Sequence, residues 1–468
     1  MAELSLTRIL AEFIADFSYE HLSDDDVDLM QCFFLDWLGC TYGGSHESAT
    51  CYAMTMSQVF GADGAVDILP SKDTGPPTLA ALINGVASHV LEMDDLHREA
   101  IIHTAAPTIP AVLAAAQQRR VSGREMLAAL VVAFEVHIRI ALAVGPSHYY
   151  YWHTTGTCGT FGAAAGVGKV LRLDPLHLQW ALGTAGTTAA GLWEFLSDSA
   201  MSKVLHPGKA ALNGLLAAYL AEQGFTGTER ILEGTKGFFM AMSDSSDPSR
   251  ITKDLGEKYH WRQNSLKHHA SCGHTHSTLD AALDATGYKA MHPDEIERID
   301  VRIYQDALDL LGKVDATDPY LAKFSLQYCL AAAVTRGTVS SELFSSSSLH
   351  DPDIRALMPR ICISPDPTLS KRYPRQWPAR VNIILKNGEL LQGAADHPKG
   401  DPENPLSRAE IVAKFKTLTA DILHPEQADT IIENVFALHE TDDMSLFFRA
   451  AITEALPHKK AKGERSID

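Results

Sequence analysis

Three segments of an otherwise Ala- and Leu-rich chain concentrate side chains that titrate, bind anions or ligate metals. The first, residues 92–103 (EMDDLHREAIIH), holds Glu92, Asp94, Asp95, His97, Arg98 and His103 at the end of an apolar helical run and in the loop after it. Two imidazoles, a guanidinium and several carboxylates in one short loop supply both proton transfer and anion binding. If Asp94 and Asp95 are close and buried, the pKa of one rises toward general-acid range. The bland alternative is a solvated helix end, with His103 a satisfied structural histidine. The second segment, 202–214 (SKVLHPGKAALNG), puts Lys203 and His206 at the entry to an Ala-rich helix. There the positive end of the helix dipole reinforces a cation, and a carboxylate would be held well. A lysine lying along a helix surface is the competing explanation.

The third segment, 267–276 (KHHASCGHTH), is the densest cluster: Lys267, His268, His269, Cys272, His274 and His276. It allows a zinc or iron site, a Cys272 nucleophile activated by a neighbouring imidazole, or a cationic acid–base wall for a polycarboxylate. The absence of a second Cys/His pair at finger or ribbon spacing, and of HExxH, weighs against the metal. Nothing lipase-like or papain-like surrounds Cys272. His153, in 149–156 (YYYWHTTG), divides between substrate contact and aromatic packing.

The elements that must position these residues are mostly helical. Leu6, Ile9, Leu10, Phe13, Ile14 and Phe17 fall on one helical face. Ser23 and the aspartates after it cap a second helix expected to run to Leu38 and end at Gly39, Gly43 and Gly44. From Pro77 to about Phe239, Ala/Leu-rich runs alternate with Gly-containing breaks. The glycines of 159–168 (GTFGAAAGVG) fit close helix contact better than a phosphate loop, because no strand precedes them and no Lys-Ser/Thr follows in register. After Ser265, strand patterns appear: Ile299, Val301 and Ile303; Ile361 and Ile363; then Val381, Ile383 and Leu385 up to Asn387-Gly388, which predicts a type I′ hairpin turn. Helical pattern interleaves at 324–334 and returns at 408–416 and 428–438. The reading is mainly α with a smaller α+β domain, divided as 1–265 (helical, first part), 266–397 (α+β) and 398–468 (helical, C-terminal part). The polar tail 459–468 is expected to be mobile.

With 468 residues, 46% hydrophobic and 21% charged, the composition is that of a globular protein. A formal charge of -18 argues against nucleic acid as a partner, since phosphate binding needs a basic face. The longest apolar stretch, 126–144, is interrupted by Glu135, His137 and Arg139, so no membrane partner is expected. Seven irregularly spaced cysteines and an N-terminus without a secretory signal predict reduced thiols and a cytoplasmic location.

All three segments, together with Leu35–Gly39 (LDWLG) near the start and 400–407 (GDPENPLS) near the end, resemble in type and order the MmgE/PrpD family. That family includes 2-methylcitrate and alkylcitrate dehydratases, cis-aconitate decarboxylase and iminodisuccinate epimerase. The resemblance implies a large all-helical domain from both chain ends, an inserted α+β lid with the site between them, and a homodimer through the helical domain. Glu92, Asp94, Asp95 and His103 match the family's acidic-x-Asp-Asp-Thr…His pattern, with Leu96 in place of the Thr. Lys203 and His206 match Lys-x-x-His-x-Gly, and Lys267, Cys272 and His276 match the later pattern. The decarboxylase branch carries a His where Cys272 stands.

The chemistry this implies is dehydration of a β-hydroxy polycarboxylate of 2-methylcitrate or alkylcitrate type, with no metal or organic cofactor. Asp94, His103, Lys203, Lys267 and His276 are the expected catalytic groups; Glu92, Asp95, His97, Arg98, His153, His206 and Cys272 contact substrate. Lys203, Lys267 and Arg98 stabilise developing negative charge, His103 or Asp94 abstracts the proton, and His276 or Lys203 protonates the leaving group. Decarboxylation of a cis-aconitate-like acid or epimerisation of an iminodisuccinate-like acid uses the same equipment. Outside the family, the alternatives are a metal-dependent hydrolase centred on the His/Cys cluster and a non-catalytic helical scaffold.

Overall fold

The computed structural model describes residues 5–449 apart from 72, 198–199 and 313–315; the tail 459–468 lies outside them. The chain divides into two compact units, one running through Asn264 and resuming at Ser407, the other Ser265–Leu406.

The first unit is helical. Its principal early helices are α1 (Leu6–Asp16), α2 (Asp24–Gly43), α3 (Pro77–His89), α4 (Ala105–Arg119), α5 (Gly123–Val144), α6 (Thr154–Val170), α7 (Pro175–Thr188) and α8 (Ser202–Glu222). Ser23 caps α2 as expected, accepting from Asp26 N while Asp26 accepts from Ser23 N. The helix passes the expected stop at Gly39 and ends only at Gly44. Gly39 is a contact point, where an added Cβ would lie 3.4 Å from the Phe415 backbone, whereas one at Gly44 would meet Ala87 O at 2.1 Å. Helix α6 packs against α4, α5, α7 and α8. Its glycines make that possible: a Cβ at Gly162 would lie 2.8 Å from Ala133 O, and one at Gly85 of α3 would lie 2.7 Å from Gly208 Cα of α8. These glycines serve helix contact, as their sequence context suggested. Helix α5 has the length and apolarity of a membrane span, yet its apolar window is wholly buried in the core. A minimal antiparallel ladder pairs Val66–Asp67 with Thr74–Gly75. The C-terminal return supplies helices Arg408–Thr419 and Pro425–Phe436.

The second unit is α+β. Strands β1 (Ile296–Ile303), β2 (Ile361–Pro365), β3 (Ala379–Leu385) and β4 (Leu390–Ala395) form one sheet in the order β2-β1-β3-β4, with β1 and β2 parallel and the other neighbours antiparallel. Ile299, Val301 and Ile303 pair with Ile383, Val381 and Ala379, and all of these side chains are buried. Helix His276–Thr286 lies across β3 and β4, so closely that a Cβ at Gly393 would meet Ala281 O at 1.7 Å. The hairpin at Asn387-Gly388 forms, but not as type I′. Gly388 N donates to Leu385 O, Leu385 N donates to Glu389 O, and only Gly388 has positive φ (87°). That is a three-residue loop closing on a left-handed glycine; type I′ would need Asn387 left-handed as well. Residues 398–406, expected with the C-terminal helices, group with the second unit. Leu266 N donates to Gly400 O, Ser265 Oγ to Asp401, and Lys399 N to Asp280.

Candidate active site

In the first unit, α3 ends at His89, and the chain from Val90 to Thr104 folds into a tight loop before α4. His97 and Ile102 exchange backbone hydrogen bonds, and Ala100 N donates to His97 Nδ1 at 3.2 Å. Glu92 and Ile101 are left-handed, with φ of 59° and 53°. Non-glycine residues at such angles store strain, and strain of this kind concentrates at functional sites. Polar contacts to Met93 and Asp95 hold the loop. Lys414 pairs with Asp36, of the LDWLG motif, at 2.5 Å and donates to Met93 O at 2.7 Å. Asp95 accepts from Thr104 N and Ala105 N, the N-terminus of α4, and from Asn264 Nδ2. Asn264 in turn follows a segment fixed by the fully buried Arg139. That guanidinium pairs with Glu135 at 2.7 Å and donates to the carbonyls of Ile251, Lys253 and Lys258; Glu135 accepts from Trp261 N.

The two adjacent aspartates have opposite fates. Burial opposes the charge on Asp94, but the pull of His103 and then His89 outweighs it and holds the carboxyl well below its usual range. Burial, and next the Asp94 charge, push Asp95 up to about 7 despite the Ala105 N–H. Asp94 Oδ2 lies 2.7 Å from His89 Nδ1 and 3.1 Å from His103 Nδ1, with His103 the most accessible of the three at 12%. Glu92 forms a buried ion pair with Lys203. Lys203 lies in the first turn of α8 rather than just ahead of it, with His206 one turn on. His153, at the start of α6, shares a proton with His206 (Nδ1 to Nδ1, 3.1 Å) and packs edge-on to Trp193. It therefore has the aromatic packing that was one of its two sequence readings. Burial first, and then Lys203, hold its pKa well below the usual histidine value. Burial and then His89 take His206 down to about 4. The group formed here is His89, Glu92, Asp94, Asp95, His103, His153, Lys203 and His206. His97 is turned to the hairpin backbone; burial, followed by His260 and Arg98, takes it to about 3. Arg98 is buried in the same hairpin.

The second unit holds the 267–276 cluster. Lys267 is 2% exposed and Cys272 is buried, its N–H donating to Lys323 O. His269 is bound to Asp280 at 2.7 Å, His274 to the Tyr304 hydroxyl at 2.5 Å while stacked on Trp377, and His276 to Ser271 O at 3.3 Å. Burial and then Lys267 bring His274 to about 3; burial and then His269 hold His276 low. His269 and His274 are thus engaged in framing the segment, and the metal reading does not find its ligands here. Among the described residues, the groups whose ligand atoms lie within 4.8 Å of one another are His89/Asp94/His103 and His397/Asp401/Glu403. In the first, His89 Nδ1 and Asp94 Oδ2 are hydrogen-bonded at 2.7 Å, shorter than the edge of about 3.4 Å that tetrahedral zinc with bonds of about 2.1 Å requires, while His103 Nδ1 lies 3.1 Å from the same oxygen at ion-pair distance and without a hydrogen bond among the described residues.

Sequence reasoning passed over His89, Asn264 and Lys414. His89 carried a signal, as the one titratable residue closing an otherwise apolar helix five positions before Asp94. Asn264 and Lys414 carried none, because their partners are remote in sequence.

Residues 8–251 match the MmgE/PrpD N-terminal domain and 269–438 the MmgE/PrpD C-terminal domain. A cis-aconitate decarboxylase-like protein of Aspergillus oryzae is 26% identical over 95% of this chain and 96% of its own length. The cis-aconitate decarboxylases of Aspergillus terreus and Homo sapiens are 24% and 25% identical, each over at least 93% of both chains. From these matches, which span nearly its whole length, the chain belongs to the MmgE/PrpD family.

Proposed function

We propose that this protein is a lyase acting on a small polycarboxylate, using His103 to move a proton at carbon and needing no metal or organic cofactor. The observation that carries the reading is the buried group itself: an imidazole set on an ionised Asp94, with the Lys203 charge beside His89 and His153. An imidazole facing a carboxylate is placed to take a proton from a bound substrate and to return it. A buried ammonium stabilises negative charge building on a substrate carboxylate more strongly than it would in water.

Of the reactions open to the family, decarboxylation of a cis-aconitate-like acid now leads, because relatives over the full length carry that name. The C–C bond to the carboxylate breaks, CO2 leaves, its electron pair passes into the adjacent conjugated system, and carbon takes a proton from the imidazolium. Water must then resupply one proton per turnover. Dehydration of a 2-methylcitrate-type acid is the second reading, favoured by Cys272 where the decarboxylase branch has a histidine. In that case a base takes the carbon-bound proton, hydroxide departs with a proton from an acid, and no net proton is consumed. Part of the same proposal are a homodimer, as the resemblance implies, and a cytoplasmic setting suited to seven cysteines with no disulfide among the described residues. Incubation of purified protein with cis-aconitate, 2-methylcitrate and iminodisuccinate, followed by NMR, tests the reading. Labelled CO2 from cis-aconitate supports the first reaction, and an alkene from 2-methylcitrate the second. Consumption of none of the three acids overturns the proposal.

A further inference from the structure

His89 is fully buried and closes α3, a helix otherwise occupied with packing. Its Nδ1 reaches the same Asp94 oxygen that His103 Nδ1 reaches, and the two rings meet edge-on, centroids 4.6 Å apart at 71°. His89 Nε2 has no hydrogen-bond partner among the described residues. Asp94 and His89 are sealed from solvent, and only His103 of the three is accessible. His89 Nδ1 hydrogen-bonds to that oxygen, whereas His103 Nδ1 lies 3.1 Å from it at ion-pair distance and makes no hydrogen bond among the described residues. A carboxylate oxygen offers lone pairs and no proton, so an N–H rather than a lone pair is favoured at both Nδ1 atoms. The Asp94 charge thereby favours the Nδ1–H tautomer in both rings, through a hydrogen bond at His89 and by proximity at His103, with the basic lone pair on Nε2.

We propose that His89 is a positioning residue: by sharing Asp94 Oδ2 with His103, it fixes the carboxylate in place and so holds His103 as the Nδ1–H tautomer with Nε2 as the base. One donor alone would leave Asp94 free to turn about its side-chain bonds. The second donor, delivered from the rigid end of α3, removes that freedom. The catalytic consequence rests on the lyase reading above; the tautomer assignment does not. Other ionisable groups bear on the pair from several elements: Asp95 on the same loop, Lys203 and His206 on α8, His153 at the start of α6, and His137 on α5. His103 Nδ1 has no hydrogen-bond partner among the described residues, and Asp94 Oδ2 at 3.1 Å is the charged atom that biases its tautomer.

The test uses the full chain labelled with [15N]histidine. Long-range 1H–15N correlation reads which ring nitrogen of His103 carries the proton, its signal being identified by loss in His103→Gln. The Nδ1–H tautomer is expected in the parent. A mixture is expected in His89→Phe, and recovery in His89→Asn, whose side-chain N–H can stand in for Nδ1. With cis-aconitate or 2-methylcitrate, whichever is consumed, kcat should fall roughly tenfold or more in His89→Phe at little-changed KM and return in large part in His89→Asn. Near-ultraviolet circular dichroism and melting confirm folding of each variant. An Nε2–H His103 in the parent, or a tautomer unmoved in folded His89→Phe, overturns the proposal. If neither acid is consumed while the tautomers behave as stated, the positioning role stands and the lyase reading falls.

Discussion

Replacing Lys203 with methionine should lower both stability and turnover, and the two losses should separate once Glu92 is neutralised as well. The sequence alone predicts a loss of turnover with folding intact, as for any cation at a helix entry. The structure changes the stability half of that expectation. Lys203 and Glu92 form an ion pair with side chains only 3% and 2% exposed. Removing one partner of such a pair leaves the other charge buried without it, at a cost of about 3–5 kcal/mol. Replacing both by neutral groups of similar volume is close to neutral, so Lys203→Met/Glu92→Gln should lie within about 1 kcal/mol of the parent. Turnover should behave differently. The charge lost in Lys203→Met is lost in the double variant too, and a drop of about a hundredfold or more is expected in both. Urea titration followed by tryptophan fluorescence, with steady-state kinetics on the acid that is consumed, measures the two quantities on the same samples. A Lys203→Met variant as stable as the parent, or a double variant that regains turnover, would refute the reasoning.

Asp95, raised to about 7, binds its proton more tightly folded than unfolded. Its stabilising contribution is full below the unfolded carboxyl pKa near 4 and is lost as pH rises through about 7, so melting scans across pH 4–8 should show a decline that Asp95→Asn flattens. Arg139→Met strips the cation from Glu135 and a donor from five backbone carbonyls; denaturant unfolding should show a loss of about 3–5 kcal/mol, with faster limited proteolysis near 250–263. Lys414→Met frees Met93 O and deprives Asp36 of its cation, and should slow turnover without touching substrate, which kcat at saturating acid will read. If the 267–276 cluster serves the same substrate as Lys203, Lys267→Met should raise KM several-fold, while an unchanged KM would remove it from substrate contact.

Local patterns carried most of the fold. Ser23 with Asp26, the alternation of Ile299, Val301 and Ile303, and the Ala/Leu-rich helices were legible because each depends on residues a few positions apart. Gly39 misled because a glycine that ends a helix and one that admits a neighbouring helix look alike until Phe415 is placed beside it. The hairpin at Gly388 formed with another turn, since the choice between two and three loop residues depends on how β3 and β4 pair. In the site, Glu92, Asp94 and Asp95 stood out by type and spacing, whereas Lys203 and His103 were singled out through the family resemblance. Which aspartate stays charged was hidden: the answer lies in His89 on one side and in the α4 N-terminus and Asn264 on the other. Crowding of histidines in 267–276 left a metal open beside the favoured cationic wall; His269 is held by Asp280 just past the segment, and His274 by Tyr304 and Trp377 far beyond it.

The central claim, proton transfer at carbon by His103 during cleavage of a polycarboxylate, is tested most directly by running the reaction in D2O. Purified protein with cis-aconitate should release CO2 and give a product with one deuterium bound to carbon at the position protonated, seen by NMR. His103→Gln, folded by circular dichroism, should abolish it. Product without solvent deuterium, or an undiminished rate in folded His103→Gln, would contradict the account.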